Sequence, residues 1–118
     1  MSLSRIAIGT ADGVSVCDHL ARSAAFVVFE IDNGAVASRA VRNRFSDKCG
    51  NHAGFVEILS GCSAVICGGI GQGAWDSLSA RGIRPLVLAT GMSIEDAIAA
   101  WLVGTLATTD ERVCLCNH

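Results

Sequence analysis

Cysteine and histidine stand close together throughout this chain. The sequence contains six cysteines and three histidines, and every histidine follows a cysteine within three positions, in the pairs Cys17 and His19, Cys49 and His52, and Cys116 and His118. Thiolate and imidazole are the ligands that soft transition metals prefer. In a reducing compartment the roles open to these cysteines are buried thiols, reactive thiols or metal ligands. The spacing therefore indicates a metal-containing ligand.

The first two pairs lie beside predicted elements. Cys17 and His19 follow an apolar first strand, and loops at strand ends are where α/β sheets usually place ligands. The alternative is a half-buried thiol next to a solvated histidine. Cys49 and His52 stand at the start of a predicted helix, where the dipole would lower a thiol pKa and favour an anionic ligand. The alternative there is that His52 simply occupies the first turn.

The C-terminus carries the third group. Cys114, Cys116 and His118 have ligand types and spacing compatible with one metal, but two cysteines alone make an incomplete site. The tail would need partners from elsewhere in the chain. Cys62 and Cys67 lie within apolar patterns, and we predict that they are core residues, because free cysteine packs as a small hydrophobe.

Positive charge is concentrated in one stretch of a chain whose formal net charge is -2. Only Asp47 opposes the cations of this stretch, which are Arg39, Arg42, Arg44 and Lys48. An anionic guest would be attracted here. The alternative is that these charges form the solvated face of an edge strand.

A glycine-rich turn follows a short apolar run. Gly69-Ile70-Gly71-Gln72-Gly73-Ala74 formally fits the G-x-G-x-x-A pattern at a strand-to-helix junction, where amides of Gly69 and Gly71 could cradle an anion. A dinucleotide site also needs an acidic residue at the end of the next strand, and Ala89 and Thr90 stand there. A dinucleotide is therefore disfavoured, which leaves a simpler anion or tight strand-to-helix packing.

The remaining pattern predicts one α/β domain. Hydrophobic residues make up 51% of the 118 residues, enough for a single core. We predict a three-layer fold with a five-stranded mixed sheet, one antiparallel hairpin and about three helices. The strands are predicted at Arg5 to Thr10, Phe26 to Ile31, Val36 to Arg42, Ser63 to Cys67 and Arg84 to Ala89. The helices are predicted around Phe55 to Cys62, at Ala74 to Ala80, and after the capping residue Ser93. Residues 1-107 would form the domain, and residues 108-118 a flexible tail.

Several classes of function are disfavoured. An acidic chain without a large basic patch is a poor nucleic-acid binder, and no apolar run is long enough to cross a membrane. Without a visible secretory signal, we expect a cytoplasmic protein. No G-x-S-x-G, H-E-x-x-H or Walker lysine motif appears, and the first strand has no carboxylate of the kind that a metal-dependent nuclease uses. We therefore expect a protein that binds a ligand rather than an enzyme.

The order of these motifs resembles the dinitrogenase iron-molybdenum cofactor biosynthesis family. The most specific part is the segment from Gly61 to Trp75, followed by Ala80 to Pro85, which is similar to the family's strand, Gly-Ile-Gly turn, helix and next strand. Asp12-Gly13, His19 and Phe26 resemble the family's "DG…HFG…F" segment. Here Leu20-Ala21 replaces the usual Phe-Gly after the histidine.

The resemblance implies a ribonuclease H-like fold without nuclease chemistry. It also implies binding of the iron-molybdenum cofactor or its iron-sulfur precursor, with nitrogenase assembly proteins or apo-dinitrogenase as partners. We expect no cofactor to be tightly bound in the purified protein. A homodimer and a metal-free regulatory or interaction module remain open. His19, Cys17, Cys49 and His52 are the predicted contacts of the cluster, with Arg42 and Arg44 as electrostatic support.

Overall fold

The computed structural model describes residues 3–20, 23–43, 59, 61–88, 91–106, 108 and 113–114. The strands of the main sheet are β1 (Leu3–Thr10), β2 (Ala25–Asp32), β3 (Ala35–Asn43), β4 (Ala64–Cys67) and β6 (Arg84–Val87). Two very short strands, β5 (Ile70–Gly71) and β7 (Val113–Cys114), pair with each other. The described helices are α1 (Gln72–Ala80) and α2 (Ile94–Val103).

The five main strands form one mixed sheet in the order β3-β2-β1-β4-β6. β1 pairs antiparallel with β2, and β2 with β3, whereas β1 with β4 and β4 with β6 are parallel. The predicted five-stranded mixed sheet with one antiparallel hairpin is therefore confirmed. Because β1, β4 and β6 run in the same direction, the loops that follow them all emerge at one edge of the sheet, here called the carboxyl edge.

The hairpin between β2 and β3 depends on its turn residues. Asn33 and Gly34 both have positive φ, 54° and 81°. A two-residue hairpin loop of type I′ requires this backbone conformation at both positions. Leu3 of β1 pairs with Asp32, so this turn lies at the edge of the sheet opposite the carboxyl edge.

The core has two halves, one on each face of the sheet. The first half contains Phe26, Val65 and Leu78, with Trp75 of α1 packed against it. The second contains Phe29 and Ile66, with Trp101 of α2 packed against it. The described chain therefore has three layers. The predicted helix near Phe55 lies almost entirely outside the described residues, although Leu59 and Cys62 are buried.

The two described helices are terminated by local features. Ser93 Oγ accepts a hydrogen bond from the amide of Asp96 at 3.1 Å and so caps α2, as its sequence predicts. Beyond α1, the amide of Gly82 donates to the carbonyl of Ser79. Neither of these helices is long and apolar enough to span a bilayer, and the same holds for the rest of the described chain.

Candidate cofactor-binding site

The loop after β1, residues 11–20, is built on a carboxylate. Asp12 Oδ1 accepts hydrogen bonds from the amides of Val14 and Ser15, both at 2.9 Å. These two bonds hold the pKa of Asp12 below its ordinary value, because they stabilise the charged carboxylate. Gly13 has a φ of 82°, which only glycine adopts easily. The Asp12-Gly13 pair therefore shapes the first half of the loop.

The middle of the loop is attached to the start of α2. The amide of Val16 donates to the carbonyl of Met92 at 3.0 Å, and the amide of Ile94 donates to the carbonyl of Val14 at 2.8 Å. Ser15 and Ser93 form an isolated antiparallel bridge between these two bonds. The loop is thus held to the start of α2 by a single isolated bridge at the carboxyl edge.

The second half of the loop lies against the turn that follows β4. The amide of Gly68 donates to the carbonyl of Cys17 at 2.8 Å, and the amide of Leu20 donates to the carbonyl of Gly69 at 2.7 Å. A Cβ atom on Gly68 would lie only 2.9 Å from both Asp18 Cα and Cys17 O. Gly68 is therefore required for the close approach of two backbones, a role that its sequence pattern did not predict.

Cys17 faces the protein interior, whereas its neighbours are more accessible. The Cys17 side chain is 5% exposed, and its thiol donates to the carbonyl of His19 at 3.1 Å. Asp18 is exposed and His19 is partly exposed. The hydrogen bond from the Cys17 thiol holds the backbone of His19. Cys17 therefore positions His19, whose side chain is at the surface of the loop.

The two described arginines of the basic stretch have different surroundings. Arg39 pairs with Glu95 of α2 at 2.7 Å and lies 4.9 Å from the centre of the Phe29 ring, so it stabilises the edge strand β3. Arg42 is paired across the strands with Phe26. The side chain of Phe26 belongs to the same half of the core as Leu20. Arg42 is thus near the carboxyl edge, on the side of the sheet where the loop ends.

Two buried thiols do not belong to this surface. Burial raises the pKa of Cys67 to about 12, although a hydrogen bond from the backbone amide of Gly69 lowers this pKa. Burial also raises the pKa of Cys62, and the charges of Arg42 and Arg5 only partly oppose it. Both side chains are buried in the same half of the core, which confirms the prediction that they are core residues.

The C-terminal strand reaches the same region. β7 runs parallel to β5, with Val113 aligned with Ile70 and Cys114 with Gly71. Gly71 is also the N-cap of α1, and no side chain caps this helix start. The predicted anion-binding glycines are therefore flanked by the β1 loop at Gly69 and by β7 at Gly71.

Several predicted site residues fall outside the part of the chain that is described: Arg44, Cys49, His52, Cys116, His118 and the side chain of Cys114. Among the described residues, no group of three or more His, Cys, Asp or Glu side chains is close enough to hold a metal ion. Cys17 and His19 lie in the β1 loop, which contacts the backbone of Gly68 and Gly69, and Arg42 lies near the carboxyl-edge end of β3.

Two surface hollows lie elsewhere, along β6. One, of about 420 Å³, is lined by Trp75, Arg84 and Thr108 among others. The second, of about 390 Å³, is lined by Arg84, Trp101 and Leu106 among others. Neither is lined by Cys17 or His19, so a guest at the carboxyl edge would rest on the loop and the glycine turn rather than inside one of these hollows.

The sequence of this chain is similar to those of known proteins. Residues 3–104 match the family described as dinitrogenase iron-molybdenum cofactor. The FeMo cofactor biosynthesis protein NifB of Azotobacter vinelandii is 30% identical over 106 residues, which cover 80% of this chain and 21% of NifB. The chain thus spans about a fifth of the length of that relative.

Solved structures share the fold. The crystal structure of PH0822 has a TM-score of 0.75 and 27% identity, and the match covers 91% of this chain and 96% of that protein. The apo form of the orange protein from Desulfovibrio gigas has a TM-score of 0.72 and 22% identity, with 92% and 95% of the two chains covered. The α/β arrangement described above is therefore the arrangement of these proteins over nearly their whole length.

Proposed function

The chain belongs to the dinitrogenase iron-molybdenum cofactor family, and from that premise we propose that it binds and carries an iron-molybdenum cofactor or an iron-sulfur precursor during nitrogenase cofactor assembly. The partners would be nitrogenase assembly proteins or apo-dinitrogenase. The observation that carries this proposal is the contact of the β1 loop with the glycine turn, made through Gly68 and Leu20. That contact places His19 beside Gly69 at the carboxyl edge.

The donor set suits a cluster that must later leave. His19 is a partly exposed imidazole, which can bind an iron or molybdenum atom in its neutral form. Arg42 favours an anionic guest. The amide of Gly69 is directed at the Cys67 sulfur, so Gly71 is the predicted glycine contact that stays available. Cys17 would contact the cluster only after its bond to the His19 carbonyl breaks, and Arg44, Cys49 and His52 stay predicted contacts. Few direct ligands would allow transfer by ligand exchange.

The proposal includes no catalytic step. The chain would have the ribonuclease H-like fold that the resemblance implies. A metal-dependent nuclease of that fold needs a carboxylate on the first strand, but β1, Leu3–Thr10, contains neither Asp nor Glu. The β1 loop instead uses the carboxylate of Asp12 to hold its own backbone.

A metal-free interaction module is the second candidate. It is favoured by the lack of any metal-holding group of three side chains among the described residues. Anaerobic incubation of the reduced protein with an iron-sulfur precursor cluster, followed by gel filtration, separates the two functions. We expect iron and charge-transfer absorbance to elute with the folded chain and to pass to an apo-acceptor. A folded chain that elutes without iron would exclude carriage and support the metal-free module.

Replacement of the proposed imidazole ligand gives a sharper test. His19→Ala should weaken cluster binding at least roughly tenfold, which is the usual effect of disturbing a metal's ligand environment, and should change the unfolding midpoint little because the side chain is partly exposed. Val14→Ala is the matched control, since Val14 is in the same loop and 64% exposed. Equal binding by both variants would show that His19 is not a ligand, and equal binding together with a large loss of stability in His19→Ala would identify it as structural.

A further inference from the structure

The outer strand β6 has a hollow on each face of the sheet. The hollow lined by Trp75, of about 420 Å³, lies on the face that α1 covers. The hollow lined by Trp101, of about 390 Å³, lies on the face that α2 covers. Both are also lined by Arg84, Leu86 and Thr108. Because they share these residues, the two hollows meet at the outer side of β6 and form one groove around it, here called the β6 groove.

The walls of the β6 groove are mainly apolar. Ile83 and Pro85 line the first hollow, and Leu106 lines the second. Trp75 and Trp101 both pack against the core, yet each keeps part of its ring exposed in a hollow. Protein interfaces usually concentrate their binding energy around such aromatic side chains. Each hollow therefore has the volume and the apolar surface to hold one bulky apolar side chain of a partner.

Arg84 supplies the positive charge of the β6 groove. Its side chain is exposed and lines both hollows. In the described chain Arg5 and Arg39 form ion pairs with glutamates, whereas no carboxylate there pairs with Arg84. An exposed cation between two apolar hollows is complementary to a partner segment in which an acidic residue stands next to bulky apolar ones.

The backbone of β6 suits an extended partner segment. The amides of Arg84 and Leu88 donate to carbonyls at the two ends of β4. Since the backbone groups of successive strand residues point to opposite neighbours, those of Pro85 and Val87 point to the outer side. An extended chain beside Leu86 would accept a hydrogen bond from the N–H of Val87 and donate one to the C=O of Pro85. Its successive side chains would point to opposite faces of the sheet, and so into opposite hollows.

We infer that the β6 groove binds an extended acidic segment of a partner protein, with one of two neighbouring apolar side chains in each hollow and an acidic side chain beside Arg84. This mode is strand addition, in which backbone hydrogen bonds give affinity and side-chain pockets give specificity. The bridge of Thr108 to Leu88 ends the groove at the carboxyl edge. Neither hollow is lined by Cys17 or His19, so the partner binds independently of a guest held by the β1 loop.

The two tryptophans of the chain, which has no tyrosine, report the two hollows separately. The probe is the synthetic peptide acetyl-Thr-Glu-Leu-Phe-Glu-Thr-amide, whose apolar pair has an acidic neighbour in either direction. In Trp101→Phe the remaining indole reports the first hollow, and in Trp75→Phe it reports the second. We expect a blue shift and protection from acrylamide quenching in both variants, at similar peptide concentrations. A response in only one variant, or in neither, would overturn the proposal.

Charge reversal tests the role of Arg84. Arg84→Glu should bind this peptide roughly fivefold or more weakly, because an exposed ion pair is replaced by repulsion. The same variant should bind a peptide with lysine in place of both glutamates more tightly than the natural chain does. Arg81→Glu is the matched control, since Arg81 is exposed and lines neither hollow. An equal loss in both variants, or no preference of Arg84→Glu for the lysine peptide, would contradict recognition by Arg84.

Discussion

Gly68 shows how one residue can position a whole loop. Its missing side chain allows the backbones of residues 17 and 18 to approach the turn after β4, with 2.9 Å to a would-be Cβ atom. Both obstructing atoms belong to backbone, so a larger residue cannot be accommodated by rotating a side chain. The position of His19 therefore depends on a residue that touches no ligand.

Gly68→Ala should lower the free energy of unfolding by about 1–3 kcal/mol, the usual cost of overpacking, and should also weaken cluster uptake by displacing the loop. Gly91→Ala is the matched control, because a Cβ atom there meets nothing within 4 Å and should change stability by less than about 0.5 kcal/mol. Urea unfolding of both variants measures the difference. Equal stability of the two variants would show that the contact at Gly68 is not tight in solution.

Cys67 makes stability depend on pH in the alkaline range. Its pKa is raised from 9.0 to about 12 by burial, so above pH 9 the unfolded chain releases a proton that the folded chain keeps. The stabilising contribution is complete below pH 9 and is lost as pH rises toward 12, with a slope approaching about 1.4 kcal/mol per pH unit.

Cys67→Ala should therefore flatten the alkaline decline of stability. Urea unfolding at about pH 8 and about pH 10.5, compared between the natural chain and the variant, isolates this group, because all other titrating groups are shared. An identical decline in the two proteins would mean that the thiol ionises equally in the folded and unfolded states.

At the scale of elements, the start of α2 supports both the helix and the β1 loop. Ser93 caps the helix through Asp96, while its neighbours Met92 and Ile94 exchange backbone hydrogen bonds with the loop. Ser93→Ala should lower the free energy of unfolding by about 1 kcal/mol, and Ser93→Asp, which keeps a capping oxygen, by much less. Thermal unfolding compares them, and equal losses would show that the cap bond contributes nothing.

The sequence predicted the elements better than their contacts. The hairpin follows from Asn33 and Gly34, and the central position of β4 follows from its apolar run, because these signals are local. The bond from Leu20 to Gly69 and the pairing of β5 with β7 join residues about 40 to 50 positions apart. Strands of two residues have no hydrophobic period, so no local pattern predicts them.

For the candidate site as well, the sequence predicted residue types but not the contacts that these residues make. Residue type singled out His19, Cys17 and Arg42, but type does not report burial, and the bond from the Cys17 thiol to the His19 carbonyl became visible only in the fold. Arg39 belongs to the same basic stretch yet pairs with Glu95, because successive residues of β3 face opposite sides of the sheet and Arg39 is three positions from Arg42. Asp12 and Gly68 were not assigned roles at the site because both act on the backbone of the loop, Asp12 by accepting its amides and Gly68 by leaving room for it.

At the scale of the whole molecule, a three-layer domain presents loops from three parallel strands at one edge. Central strands buried on both faces make that edge rigid, and the β1 loop is bonded to the turns or helix starts after both β4 and β6. Under the proposed function, such an edge would hold an anionic cluster through the His19 imidazole and nearby positive charge, and would release it without unfolding.

Electron spin-echo measurement of the nitrogen coupling to a reduced, protein-bound iron-sulfur cluster tests this account most directly. With histidine labelled by ¹⁵N, we expect an imidazole coupling in the natural chain that is lost or clearly reduced in His19→Ala and retained in Val14→Ala. A bound cluster with the same nitrogen coupling in His19→Ala, or with none in the natural chain, would contradict the role given to the carboxyl edge.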